Sequence, residues 1–168
     1  MKAIFEEARR QWPHCSAALN WAFNEPWITA ANLSIVRYPA IPKPGYFATK
    51  NALRSTMFSA RIPHFDWKSG ERFTAQIWLL NDSNEQVSGS VEVILKIGEK
   101  EISLLKWENA EAVPNANTEG ASVCCVLPAV DANSMTLILK ANDENMSSEY
   151  KLLYKKEKTI RAPKGMNM

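Results

Sequence analysis

No charge of either sign dominates this chain: 20 lysines and arginines stand against 18 aspartates and glutamates, a net of +2 scattered along 168 residues. Without a basic stripe there is nothing to track a phosphate backbone, so no nucleic-acid partner is expected. No apolar run approaches the roughly 20 residues that span a bilayer, and no membrane partner is expected either. Histidine is nearly absent. His14 and His64 lie far apart with no acidic or cysteine partner at ligand spacing, which argues against a metal site or a nucleophilic centre built on them. Cysteine is scarce too: Cys15, Cys124 and Cys125 cannot all pair and show no C-x-x-C spacing. On a strand, Cys124 and Cys125 would point to opposite faces, so at least one is expected to be a small core residue. The opening MKAIFEEARRQW is charged where a secretory leader is apolar, so no targeting signal is read here. If the chain is a piece of a longer protein, any signal belongs to the missing N-terminus and location stays open.

What is present is a globular composition, 46% hydrophobic and 23% charged, arranged in two grammars. Ile4, Phe5, Ala8 and Trp12 fall near one face at helical spacing, with Glu6, Glu7, Arg9 and Arg10 around the rest, predicting an amphipathic helix over Ala3 to Trp12 that Pro13 ends. Ser16 to Phe23 is mostly apolar and of strand length, which fits a strand buried on both faces of a parallel sheet. Asn24 to Pro44 carries four prolines and no period, and is expected to be a long loop. A second short helix is expected from Gly45 to Leu53.

After Arg54 the period becomes two. Phe73, Ala75, Ile77 and Leu79 form one alternating set, and Val91, Val93, Leu95 and Ile97 another. Ala121 to Leu127, Met135 to Leu139 and Tyr150 to Tyr154 continue it. With Met57 to Ile62 and Glu101 to Trp107, these make about seven short strands, the number expected of an immunoglobulin-like β-sandwich. Its inter-sheet disulfide cannot form from two adjacent cysteines, so apolar packing must hold the core.

A single parallel strand leaves both its edges bare, so residues 1–54 read as the end of something larger. The last helix, strand, long loop and closing helix of a (β/α)8 barrel would end in this way. The expected organisation is therefore mainly β: a short α/β segment from the end of a TIM barrel (1–54), an immunoglobulin-like β-sandwich (55–158) and a flexible tail (159–168).

Three runs sharpen this: Asn20-Trp-Ala-Phe-Asn-Glu-Pro-Trp27, Ala31-Asn-Leu-Ser-Ile-Val36 and Pro42-Lys-Pro-Gly-Tyr-Phe-Ala-Thr-Lys50. Together they resemble the closing segment of the catalytic barrel in glycoside hydrolase family 2, β-mannosidase-like and β-galactosidase-like members above all, where a sandwich follows directly. The sequence departs from that pattern at Arg37, where aspartate is usual, at Ile28, where proline is usual, and at Ala40, where a glycine turn is common.

The resemblance implies a parent that hydrolyses terminal β-linked sugars with retention, using two carboxyl groups about 5–5.5 Å apart. In the family these lie on earlier barrel strands, so no catalytic residue is expected in this chain, and alone it is expected to be inactive. Asn24-Glu25 imitates the family's acid/base signature. Its position before Pro26-Trp27 and the closing helix instead makes Glu25 a structural loop carboxylate, one that orients its surroundings. Trp21 is the leading substrate-binding candidate, since barrel sites sit at the C-terminal ends of strands and an indole face packs against a sugar ring; the competing reading is a tryptophan packed in the barrel core. Asn24 and Trp27 are further candidates for lining the pocket. Trp67, Trp78 and Trp107 either form a sugar-binding face on the sandwich or sit in its core.

No cofactor and no metal are expected. The expected partners are an oligosaccharide or glycoside substrate of the full-length parent, the missing barrel and N-terminal domains, and a second copy meeting the exposed barrel surface; the location of the parent stays open, a periplasmic or secreted one included. The alternative is a stand-alone, non-catalytic carbohydrate- or protein-binding sandwich.

Overall fold

The computed structural model describes residues 1–156. The expected tail (159–168) and the last two residues of the expected sandwich lie outside the described residues. Helix α1 spans Lys2–Arg10. Arg9 and Arg10 in its last turn sit well against the negative end of the helix dipole. Helix α2 spans Pro44–Ala52, with its proline at the start, where a missing N–H costs nothing. The two helices pack against each other.

Between them, the strand expected over Ser16 to Phe23 does not form, and the segment is largely exposed. The physical reason is the one that made an isolated strand implausible: among the described residues no other strand lies beside it. Just past its end, Asn24 makes an isolated parallel bridge to Val36. The loop to Pro44 is otherwise irregular, apart from a two-rung hairpin of β1 (Val36–Arg37) and β2 (Ile41–Pro42) that the prolines hid.

The period-two region folds as a sandwich of two sheets. Strands β3 (Thr56–Arg61), β5 (Arg72–Asn81) and β8 (Thr118–Val126) make a three-stranded antiparallel sheet in the order β3-β5-β8. The facing sheet has the order β4-β10-β9-β6-β7, built from β4 (Asp66–Lys68), β6 (Val87–Ile97), β7 (Lys100–Ala112), β9 (Ser134–Ala141) and β10 (Ser148–Lys155). Within this sheet β4 runs parallel to its neighbour, β10, with Tyr154 opposite Trp67. At three residues, β4 is too short to show a period, and it is the strand the pattern did not reveal.

The alternation predicted from sequence is the alternation of burial. Ser148, Tyr150, Leu152 and Tyr154 of β10 face inward while the residues between them face out. Phe73, Ile77, Leu79, Val93, Leu95, Ile97, Leu137 and Leu139 have essentially no exposed surface. Cys125 packs against this core and Cys124 is exposed, both as free thiols. The three sandwich tryptophans do not form a common face. Trp67 is buried edge-on to Phe73, with ring centroids 4.9 Å apart. Trp107 packs edge-on to Phe58 across the sandwich at 5.9 Å. Trp78 alone is on the outer side of the small sheet, its Nε1 donating to Gln76 Oε1 at 3.1 Å. Gly120 lies directly under Trp107, since a Cβ there would collide with the Cζ3 edge of its ring.

Helix α1 is fastened to the sandwich by charge. Glu6 is wholly buried, and its Oε2 accepts from Tyr150 Oη at 2.8 Å and from Ser59 Oγ at 2.9 Å. The Tyr150 hydroxyl in turn accepts from the Ala60 N–H at 2.9 Å. Lys2 and Arg10 approach the same carboxylate at 3.7 and 4.0 Å. Burial first, then the charge of Glu6, push the Tyr150 phenol far above its usual range, so it remains a donor under any ordinary condition. Arg9 donates to the carbonyls of Ala52 at 2.6 Å and Ser55 at 3.3 Å and pairs with Asp82 at 2.8 Å.

Candidate functional site

The segment that carries Trp21, Asn24, Glu25 and Trp27 is held by a few bonds made near Val36. The Phe23 carbonyl accepts from the N–H groups of Ile35 at 3.1 Å and Val36 at 2.9 Å, and the Glu25 N–H donates to the Val36 carbonyl at 3.0 Å. Lys43 N–H returns the chain to the Ile35 carbonyl at 2.9 Å. The loop is thereby pinched at its base while its flanks stay open.

Glu25 is the centre of that pinch and is only 4% exposed. Its Oε1 accepts from Lys43 Nζ at 2.6 Å and from Ser34 Oγ at 3.4 Å, and its Oε2 accepts from the Tyr38 N–H at 3.3 Å. Lys43 Nζ also reaches Ser34 Oγ at 3.2 Å and the Asn32 carbonyl at 3.3 Å. The Lys43 ammonium, helped by the Tyr38 N–H and Ser34, holds the Glu25 carboxyl below the usual range despite its burial. A carboxylate kept ionised by a lysine, a backbone N–H and a hydroxyl is suited to fixing a loop. It has no second carboxylate among the described residues with which to share acid and base roles.

Trp21 and Trp27 lie on the open flanks, 85% and 66% exposed. Asn24 is exposed between them, next to the buried Glu25. Leu19, Phe23, Ile28 and Leu33 are exposed as well, so the segment presents a broad apolar surface of the kind that marks an interaction site. Trp12, just beyond the C-terminal end of α1, is 53% exposed. No aromatic pair joins Trp21 to Trp27 among the described residues; they share a segment without touching. Lys43 and Ser34, the groups that set the state of Glu25, were missed from sequence. The available signal was a lysine placed just before the closing helix, where its stem can fold back over the loop.

Among the described residues no group of three or more His, Cys, Asp or Glu is placed to hold a metal ion.

No family model matches the chain. It is 31% identical over 121 residues to Beta-mannosidase B of Emericella nidulans, an alignment covering 66% of this chain and 14% of that protein. It is 29% identical over 140 residues to Beta-mannosidase B of Aspergillus niger, covering 77% of this chain and 16% of that protein. Among solved structures, Beta-D-mannosidase from Dictyoglomus thermophilum superposes with a TM-score of 0.65 over 90% of this chain and 18% of its own length, at 20% identity, which shows a shared fold. The chain thus spans only 14% to 16% of the length of these curated relatives.

Fold, loop and relatives together make the chain similar to the C-terminal portion of a β-mannosidase-type glycosidase, in line with the resemblance read from the sequence. The likeness is to β-mannosidases: the two fungal relatives and the bacterial structure all carry that name, and the β-galactosidase half of the sequence resemblance gains nothing from them.

Proposed function

We infer that this chain supplies the supporting sandwich and one wall of the sugar pocket in a β-mannosidase-type glycosidase that cleaves terminal β-linked sugars with retention of configuration. The carrying observation is the pairing of an exposed Trp21 with a buried, lysine-locked Glu25 on one pinched loop. In this reading Trp21 floors the subsite for the terminal sugar, its indole facing the C–H face of the ring. Asn24 and Trp27 line the pocket, and Glu25 fixes their loop through Lys43, Ser34 and Tyr38. The carboxyl pair that performs acid/base and nucleophilic chemistry is contributed by the rest of the parent, and this chain alone turns over no glycoside. The exposed apolar surface made by Leu19, Phe23, Ile28 and Leu33 is where the remaining barrel packs, with a second copy of the chain as its substitute when the barrel is missing.

The test begins with the DNA on the 5′ side of the Met1 codon. If it encodes a barrel in frame, the joined protein should hydrolyse p-nitrophenyl β-mannopyranoside, and Trp21→Ala should lower kcat/KM by roughly tenfold or more, the scale of a lost stacking face. A joined protein that ignores the substrate, or one indifferent to Trp21→Ala, overturns the assignment. A compact monomer of this chain with no barrel encoded in frame on its 5′ side would instead favour the stand-alone binding module.

A further inference from the structure

A pocket lies where the end of α1 and the start of the segment that leads to Trp21 meet the sandwich. Its volume is about 310 Å³, and Trp12, Ser16, Leu53, Asp82, Asn115 and Asn117 are among the residues that line it. That is at the small end of ligand pockets and suits a single ring rather than a chain. Its chemistry is mixed in a particular way. Trp12 supplies a half-exposed indole. Asp82 gives Oδ2 to Arg9 at 2.8 Å, which leaves its second oxygen to accept from a ligand hydroxyl. Asn115 spends its amide N–H on Asn84 Oδ1 at 3.1 Å and keeps its carbonyl oxygen for an incoming donor. Asn117 is locked through Nδ2 to the Arg9 carbonyl at 2.6 Å and through Oδ1 to the Asn81 N–H at 3.2 Å, so it shapes the wall.

An aromatic face flanked by acceptors calls for a ligand that has a flat apolar side and several hydroxyl donors. Arg9, the cation nearest the pocket, is already committed to Asp82 and to the carbonyls of Ala52 and Ser55, so a ligand anion would meet the Asp82 carboxylate without compensation. We propose that this pocket is a non-catalytic subsite for one neutral hexopyranose unit, stacked on Trp12 and hydrogen-bonded to Asp82 and Asn115. Trp21, Asn24, Glu25 and Trp27 are not among its lining residues, so the proposal stands whether or not they line a catalytic pocket.

The test is saturation-transfer NMR on the full chain with methyl β-mannopyranoside, methyl β-glucopyranoside and glucuronic acid as probes. Signal is expected from at least one of the neutral glycosides and not from the uronic acid. Trp12→Ala and, separately, Asp82→Ala should each weaken binding roughly tenfold, the scale of a lost stacking face or a lost charge-assisted bond, while Trp78→Ala, outside the pocket, leaves it unchanged. Using two variants on different elements, each checked for a native circular dichroism spectrum, separates a lost ligand contact from a lost fold. The proposal is overturned by absence of signal from both neutral glycosides, by a preference for the uronic acid, or by signal that disappears in Trp21→Ala and survives in Trp12→Ala. Failure here leaves the assignment of the Trp21 loop standing, because that assignment is read from kcat/KM of the joined enzyme.

Discussion

Replacing Tyr150 with phenylalanine removes one oxygen from the interior and leaves its ring in place, so it isolates the bond that fastens α1 to the sandwich. In the native chain that oxygen donates to Glu6 at 2.8 Å and accepts from the Ala60 N–H at 2.9 Å. The variant leaves the Ala60 N–H buried without a partner, a loss of about 1–3 kcal/mol, and takes from a wholly buried carboxylate one of its two hydroxyl donors, a charged bond in the range of about 1.5–3 kcal/mol. Ser59 Oγ, already 2.9 Å from the same carboxylate oxygen, can take up part of that loss. The expected destabilisation is therefore about 2–4 kcal/mol. With a urea slope of about 2 kcal/mol/M, the unfolding midpoint should fall by about 1–2 M. Combining Tyr150→Phe with Glu6→Gln in a double-mutant cycle should give a coupling of at least about 1 kcal/mol, because the two groups bond directly. A midpoint shift below about 0.3 M, or strictly additive single effects, would refute the view that the helix is anchored through this pair.

Other outcomes follow from the same geometry. Gly120→Ala pushes a methyl group into Trp107, which must move off Phe58; a cost of about 1–3 kcal/mol by thermal denaturation is expected, and a neutral effect would show that Trp107 is free to shift. The Glu25 carboxyl is depressed in the folded loop, so its stabilisation is full above the ordinary carboxylate range and is lost as pH falls through the folded value. Lys43→Met should raise that titration, as read by carbon-13 NMR of the Glu25 carboxyl; an unchanged midpoint would remove the lysine from its role. Trp21→Ala, on an exposed flank, should alter the unfolding free energy by less than about 0.5 kcal/mol. A larger loss would mean that the ring packs within the chain.

The sandwich was legible because its strands each bury one face: Phe73, Ala75, Ile77 and Leu79 announce both the strand and its inward side. Helix α2 was legible from its local composition. The strand expected over Ser16 to Phe23 was not a misreading of the residues, which are apolar enough, but of their company, since pairing is supplied from outside the segment. Residues Val36 to Pro42 were set down as featureless because prolines break every period, yet two rungs suffice to close a hairpin. Glu25 is expected to be a loop carboxylate from its neighbours in sequence, whereas Lys43 and Ser34 meet it only through the fold. The Glu6–Tyr150 bond joins groups 144 positions apart, and an amphipathic helix pattern cannot announce it. On a helical wheel, Glu6 reads as solvent-facing.

Arg9 bears on how the molecule can be taken apart. Its guanidinium ties the end of α2, the connecting Ser55 and the Asp82 turn to α1, while Glu7 meets Arg61 of β3 and Arg54 reaches the carbonyl of Ser147. A cut between residues 54 and 55 looks natural from the sequence, which changes character there. In the folded chain it would sever the most heavily cross-braced point. Chimaeras that exchange sandwiches between relatives should therefore keep α1, β3 and β10 from one parent, with Glu6, Arg9, Ser59 and Tyr150 inherited together. The exchangeable unit begins at Lys2, well ahead of the place where the β pattern starts.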